Sequence, residues 1–168
     1  MLRIQKTPAG LGLVATENIA EGRVVIDFTG QLLRTSRVSR FHHAIQVGRD
    51  RFLEAAPEAL DNYINHSCTP TCRVDFDQLA LISMQFIPAG WEISFDYETT
   101  EYDLESQGCA FDCKCGSYHC RRRIRGFRHL RVPVQLSLRE RLAPYLAEEL
   151  DAQWRAGADH LVVRHRRT

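Results

Sequence analysis

Cys113, Cys115 and Cys120 form a C-x-C-x4-C cluster, and thiolates at that spacing can occupy three of the four tetrahedral positions around zinc. Gly116, directly after Cys115, lets the backbone turn around a metal. A fourth ligand must come from elsewhere, and Cys68, Cys72 and Cys109 are the remaining thiols. If Cys68 or Cys72 supplies it, the metal staples the C-terminal segment onto the chain that precedes it. The N-terminus shows no apolar leader with a small-residue cleavage site, so the cysteines read as metal ligands or free thiols before disulfides.

Three further constellations carry polar chemistry. Asn65-His66-Ser67-Cys68 follows the apolar pair Tyr63-Ile64, and taken alone it is a turn with local hydrogen bonds. Glu92-Ile93-Ser94-Phe95-Asp96-Tyr97 alone is a strand that ends in an aromatic hydroxyl. Gly10-x-Gly12 alone is a backbone turn.

The elements that must position these residues are mostly short strands. Gly10 to Ala15 is a turn running into a strand. Arg23 to Phe28 is rich in β-branched and apolar residues, as strands are. Ala44 to Val47 and Phe52-Leu53 flank the hairpin-like turn Gly48-Arg49-Asp50-Arg51. Leu79 to Phe86 and Trp91 to Tyr97 are two more strands, separated by Pro88-Ala89-Gly90. Many short strands with regular turns predict a mainly β fold. Residues 98–112 read as a polar, acidic linker. Beyond the cysteine cluster the character changes: Ser137-Leu138-Arg139-Glu140 has the form of a capping box, and Leu138, Leu142, Tyr145, Leu146, Leu150 and Trp154 recur at helical spacing. Pro144 predicts a kink or two consecutive helices there.

A chain of 168 residues accommodates one domain plus an extension. No apolar run approaches the ~20 residues that span a bilayer, so no membrane partner is expected. The expected location is intracellular, cytoplasmic in a bacterium and nuclear or chromatin-bound in a eukaryote. A net charge of +1 excludes a polyelectrolyte binder over the whole length, but the charge is unevenly spread. Glu98 to Glu105 is acidic, and such a strip beside a site favours a basic peptide. Arg121 to Arg131 is basic, and the terminal run Arg164-His165-Arg166-Arg167 suits nucleic acid, chromatin or nucleoid. Each run taken alone also reads as a solvated surface.

Taken together and in order, over residues 3 to 126, the motifs resemble the SET-domain protein-lysine methyltransferases with a post-SET zinc element. Gly10-Leu11-Gly12 with Leu13-Val14-Ala15-Thr16 is similar to the first motif of that family, and Tyr63-Ile64-Asn65-His66-Ser67-Cys68-Thr69-Pro70 to its N-H-S-C-x-P box. Ile87 to Tyr97 is similar to the strand that ends in the catalytic tyrosine, and Cys113 to Arg121 to the C-x-C-G-S-x-x-C-R element. The resemblance implies β-clip-like small sheets, with the N-H-S-C and tyrosine segments packed as a pseudoknot. It divides the chain into a SET domain (1–100), the acidic linker (101–112), a post-SET zinc element (113–129) and a helical C-terminal extension (130–168).

The same resemblance implies S-adenosyl-L-methionine and zinc as cofactors and a basic protein or peptide as substrate. Gly10, Leu11, Gly12, Tyr63, Asn65 and His66 would hold the cofactor, with both glycines clear of side chains that would obstruct it. Tyr97 would be catalytic, and Cys68 would complete the metal site of Cys113, Cys115 and Cys120. Phe28, His43 and Phe95 would line the substrate channel, with Phe95 limiting how many methyl groups fit. Methyl transfer from a sulfonium to an amine needs collinear alignment and a neutral nitrogen, and a lysine at pKa ~10.4 must first lose its proton.

The chain departs from the family in places. Asp27-Phe28-Thr29-Gly30-Gln31 stands where E-Y-x-G-E is usual, His43 replaces a channel tyrosine, and Asn62 and Thr71 replace an arginine and an asparagine beside the box. The cysteine-rich pre-SET cluster is absent. Two other functions are therefore carried as alternatives: a SET-fold protein acting on a small molecule or another acceptor, and a non-catalytic zinc-dependent binding module.

Overall fold

The computed structural model describes residues 1–165, with side chains as far as Arg155. Twelve strands run in order: β1 Leu2–Thr7, β2 Gly10–Ala15, β3 Val24–Asp27, β4 Gln31–Leu33, β5 Ala44–Gly48, β6 Arg51–Glu54, β7 Asn65–His66, β8 Cys72–Asp75, β9 Ala80–Ser83, β10 Ser94–Phe95, β11 Phe111–Asp112 and β12 Arg123–Ile124. Two helices follow, α1 Val132–Ser137 and α2 Pro144–His165. The expected mainly β fold of small sheets is what the chain forms: the hairpin β1–β2, the sheets β3–β9–β8 and β4–β6–β5, and the pairs β7–β10 and β11–β12.

No single sheet provides the core; the sheets enclose it between them. Leu13, Ala15, Ile19, Val25, Ile45, Leu53, Ile64, Val74, Leu81, Ile87, Ile93 and Phe95 form one buried cluster. Burial of that apolar surface, worth about 25 cal/mol per Å², is what makes such short strands cohere. The pairing that matters most for function is β7 with β10. They run parallel, with Ser94 opposite Asn65 and Phe95 opposite His66, so the polar box and the tyrosine strand lie side by side.

Several boundaries differ from the sequence reading. Strand β1 has no alternating pattern to reveal it, because its four inner residues are all exposed. The strand expected from Trp91 to Tyr97 shrinks to Ser94–Phe95 in the ladder. Its start makes only a lone bridge from Glu92 to Val14, and Tyr97 already opens a 3-10 turn capped by the Asp96 side chain.

The C-terminal segment divides at Pro144 into two helices. Phe127, Leu138, Leu142, Ala143, Tyr145, Leu146 and Leu150 form a second buried cluster against Phe76 and Tyr102. Trp154, expected on that apolar face, is 62% exposed. The capping box does not form either. Ser137 closes α1 and donates its hydroxyl to the Val134 carbonyl at 2.7 Å, and the 3-10 turn Arg139–Arg141 begins without a side-chain cap. The backbone of α1 curls on through Leu138, so Ser137 never reaches a cap position. Gly126, at φ +105°, lets the chain enter this region: a Cβ there would stand 2.7 Å from the Tyr102 carbonyl oxygen and 2.8 Å from the Leu104 nitrogen.

Residues 98–112 are no solvated linker. Glu98, Thr99, Thr100, Glu101 and Leu104 are all buried, threaded between the core and the segments that follow.

Candidate active site

The polar box meets the first hairpin through one side chain. Asn65 Nδ2 donates to the Leu11 carbonyl at 3.1 Å and to Glu92 Oε1 at 2.7 Å. A Cβ on Gly12 would collide with both Glu92 Oε1 and Asn65 Nδ2, the latter at 2.7 Å. Any larger residue at 12 would break this junction. Gly10 is required for a different reason than expected. A Cβ there would meet nothing within 4 Å, but its φ of +124° is a conformation that L side chains rarely adopt. Leu11 is exposed between the two, and Tyr63 ends the 3-10 turn Leu60–Tyr63, which packs on β2.

His66 is buried, and both its ring nitrogens are used internally. Nδ1 accepts the Tyr97 backbone N–H at 3.1 Å, and Nε2 lies 3.3 Å from Cys68 Sγ. Burial, assisted by the nearby Arg121 charge, pulls its pKa down to about 3, so the ring is neutral. The 3.6 Å approach of Nδ1 to Asp96 Oδ1 is therefore no ion pair. The proton sits on Nε2, and the ring links the tyrosine backbone to a cysteine of the cluster. Only the backbone of His66 is left to face a ligand.

Tyr97 stands at the junction of box and cavity. Its hydroxyl donates to the Ile64 carbonyl at 2.6 Å, and its ring packs against Phe95, His66 and Phe111 at centroid distances of 4.9, 5.5 and 5.9 Å. Burial pushes the hydroxyl well above its ordinary range, so Tyr97 stays protonated at every physiological pH. On its other side opens a cavity of about 100 Å³. Phe28, His43 and Phe95, the three residues assigned to a channel, all line it together with Tyr97, and Phe28 meets Phe95 edge-on at 6.3 Å. Its walls also carry Phe41, His42, Asp61, Asn62, Glu101 and Cys109. His43 Nδ1, Asp61 Oδ1 and Asn62 Oδ1 are buried without a hydrogen-bond partner among the described residues.

The thiolate cluster assembles from both ends of the fold. The sulfurs of Cys68, Cys113, Cys115 and Cys120 lie within 4.8 Å of one another, and Cys68 and Cys113 are 3.9 Å apart. A zinc–thiolate tetrahedron with bonds of ~2.3 Å has edges of ~3.8 Å, so these residues fit the ion. Backbone N–H groups of Arg121 and Arg122 point at Cys68 and Cys120, each at 3.4 Å. Burial pushes the Cys113 thiol up to about 11 and raises Cys68 further. Four thiolates this close need a cation to ionise together. Cys72 and Cys109, left open by spacing alone, are not among the four converging sulfurs.

The acidic and basic runs face each other. Arg121 reaches Asp96 Oδ1 at 2.5 Å and Glu98 Oε2 at 2.6 Å, almost out of solvent. Arg125 pairs with Glu105, Arg128 with Asp103, and His129 Nε2 lies 2.9 Å from Asp103 Oδ1. Most of both runs is thus engaged in mutual pairing, although Glu101 of the acidic run and Arg122 and Arg131 of the basic one have no ion pair among the described residues. The side chains of the terminal run 164–167 lie outside the described residues.

Sequence reasoning missed Glu92, Arg121 and Glu101. Arg121 was legible only as the residue after the last cysteine, and Glu101 was hidden inside an acidic run that looked solvated.

Comparisons with known proteins place the family and the fold. The sequence pattern of the SET domain family matches residues 10–98. Histone-lysine N-methyltransferase trr of Drosophila melanogaster is 30% identical over 130 residues, 67% of this chain and 5% of that protein. Histone-lysine N-methyltransferase ASHH2 of Arabidopsis thaliana is 30% identical over 142 residues, 74% of this chain and 8% of that protein. The chain thus spans less than half the length of these curated relatives. A crystal structure of KRYPTONITE in complex with mCHH DNA, H3(1-15) peptide and SAH superposes with a TM-score of 0.59 at 25% identity, covering 73% of this chain and 29% of that one.

Proposed function

The chain belongs to the SET domain family, and from that premise we propose that it is an S-adenosylmethionine-dependent methyltransferase acting on the ε-amine of a lysine in a basic protein. The observation that carries this reading is the position of Tyr97, an un-ionised hydroxyl set between the Gly12–Asn65 junction and a cavity with aromatic walls. The relatives and the solved neighbour, which hold histone-lysine methyltransferase names and a bound SAH and H3 peptide, support it.

When bound, S-adenosylmethionine supplies an electrophilic methyl on a sulfonium. The backbone of Gly10, Leu11 and Gly12 with Tyr63, Asn65 and the main chain of His66 forms its seat. Cys68, Cys113, Cys115 and Cys120 would hold zinc, which would tie residues 113–126 to the polar box. Phe28, Phe95 and His43 confine the acceptor side chain. Tyr97, its proton committed to the Ile64 carbonyl, presents lone pairs to the incoming nitrogen and orients it. Phe95, in ring contact with both Phe28 and Tyr97, sets how many methyl groups fit.

The test is transfer of labelled methyl to protein in a cell extract, wild type against Tyr97→Phe, with cofactor binding followed by calorimetry. We expect both proteins to bind S-adenosylmethionine and only the wild type to label protein. Absence of binding in the wild type sinks the reading. The three unpartnered polar atoms of the cavity favour a second reading, a small polar acceptor; label appearing in a metabolite and in no protein would establish it.

A further inference from the structure

Tyr97, held un-ionised, cannot remove the proton from an acceptor amine. The cavity beside it contains a carboxylate that neither the fold nor the zinc element accounts for. Glu101 is only 5% exposed. Its Oε1 accepts the Gln46 backbone N–H at 2.8 Å and the Thr100 hydroxyl at 3.1 Å. Among the described residues no hydrogen bond reaches Oε2, and no arginine, lysine or histidine forms an ion pair with this carboxylate. A buried carboxylate lacking a counter-ion is costly, and its neighbours Glu98 and Asp96 are by contrast both clamped by Arg121. The cavity that Glu101 lines is walled by Phe28, Phe41, Phe95 and Tyr97, whose ring faces attract a cation as well. A fixed acid among aromatic walls is the chemistry that recognises an alkylammonium.

We propose that Oε2 of Glu101 is the counter-ion for the acceptor's ammonium in this cavity and takes the proton that the nitrogen must lose. The N–H bond breaks, its electron pair stays on nitrogen, and the proton bonds to Oε2, leaving a neutral amine beside a neutral carboxylic acid. The acid returns the proton to water once the product has left. For the transfer step after deprotonation, the inference rests on the proposed methyltransferase function.

Geometry and titration agree. Burial pushes Glu101 up to about 7, opposed by the Gln46 and Thr100 hydrogen bonds, which brings it close to the range where a general base works best. Tyr97, Tyr145 and Cys109 are the titratable groups that feel its charge, and His42, His43 and Asp61 share the cavity walls. No arginine or lysine is among them.

The experiment compares wild type, Glu101→Gln and Asp61→Asn, all full-length and zinc-loaded. Glutamine keeps an Oε1 acceptor for Gln46 and Thr100, so the fold is preserved. n-Butylammonium chloride is titrated at pH 8 and followed by NMR, and methyl transfer is measured against pH. Wild type should bind the probe, with about tenfold weaker binding in Glu101→Gln, the worth of one charge-assisted hydrogen bond. Methyl transfer at pH 7 should fall ~10²-fold or more in that variant and recover toward high pH, where solvent removes the proton. Unchanged binding and an unchanged pH profile in Glu101→Gln would overturn the proposal while leaving the methyltransferase reading intact. So would losses that follow Asp61→Asn instead, or a wild type that does not bind the probe. Probe binding that depends on Glu101, without any methyl transfer by the wild type, would sink the methyltransferase reading and uphold the amine site.

Discussion

Two segments come after the core, and they are attached to it by opposite means. Residues 113–126 hold on through sulfur and charge: the cluster with Cys68, and Arg121 clamped between Asp96 and Glu98. They contribute little apolar burial beyond Ile124, and Tyr118 stands 97% exposed. Residues 127–150 hold on through packing, with Phe127, Ala143 and Leu146 completely buried. The difference separates a lid from a buttress. The lid is tied to the polar box through Cys68, and its attachment is conditional on an ion. The buttress presses on Tyr102 and Thr100 from behind, Tyr145 donating its hydroxyl to the Thr100 carbonyl, and needs no ion.

Removing the metal should give the largest effect. Structural zinc sites contribute on the order of 10 kcal/mol to the folding of the element they close. Chelation, or Cys115→Ser, should therefore release residues 113–126 to limited proteolysis and abolish cofactor binding, while the β core and α2 keep their circular dichroism. If the whole chain unfolds on chelation, the lid and the core are one cooperative unit and the contrast fails.

The buttress should respond to a cavity instead. Leu146→Ala removes a fully buried side chain and should cost about 2–5 kcal/mol. A melting temperature lower by roughly 5–15 °C is expected for a chain of this size. Zinc content, measured by metal analysis, should stay at one ion per chain. Loss of zinc before loss of the helices would show that the buttress also holds the lid.

How much of this was legible in the sequence depended on whether a residue's role is local. The metal set of Cys113, Cys115 and Cys120 could be read from spacing, because three ligands in one short loop need no knowledge of the rest. The fourth, Cys68, needed a resemblance, since spacing left Cys72 and Cys109 equally open. Gly12 and Asn65 were found as members of motifs, but their mutual contact is tertiary. The linker was misread for a physical reason. A run of acids signals solvent only when no basic run folds back on it, and here Arg121, Arg125 and Arg128 do. Trp154 and the capping box were misread because helical spacing and S-x-x-E patterns presume one continuous helix, whereas the backbone turns twice between Ser137 and Pro144.

The smallest effect expected is also the one with an unusual sign. Glu101 sits where core and buttress meet, bonded to Gln46 and to the Phe127 N–H, and its folded-state pKa of about 7 lies above the ordinary 4.5 of a glutamate. Between those values the folded chain binds more protons than the unfolded one, so stability falls as pH rises through this window. Above pH 7 the ionised carboxylate costs about 3 kcal/mol, the free-energy equivalent of that displacement. Glu101→Gln removes the charge and keeps the acceptors, so it should melt within about 3 °C of the wild type at pH ~5 and roughly 5–10 °C above it at pH ~8.5. A residue kept for packing or hydrogen bonding would destabilise on substitution at both pH values. One kept for the ligand it awaits should instead make the protein more stable and less active, because the empty site carries a charge that only a bound cation relieves. Equal melting shifts at the acid and alkaline ends of this range would place Glu101 in the scaffold and remove the physical reason for assigning it to the acceptor.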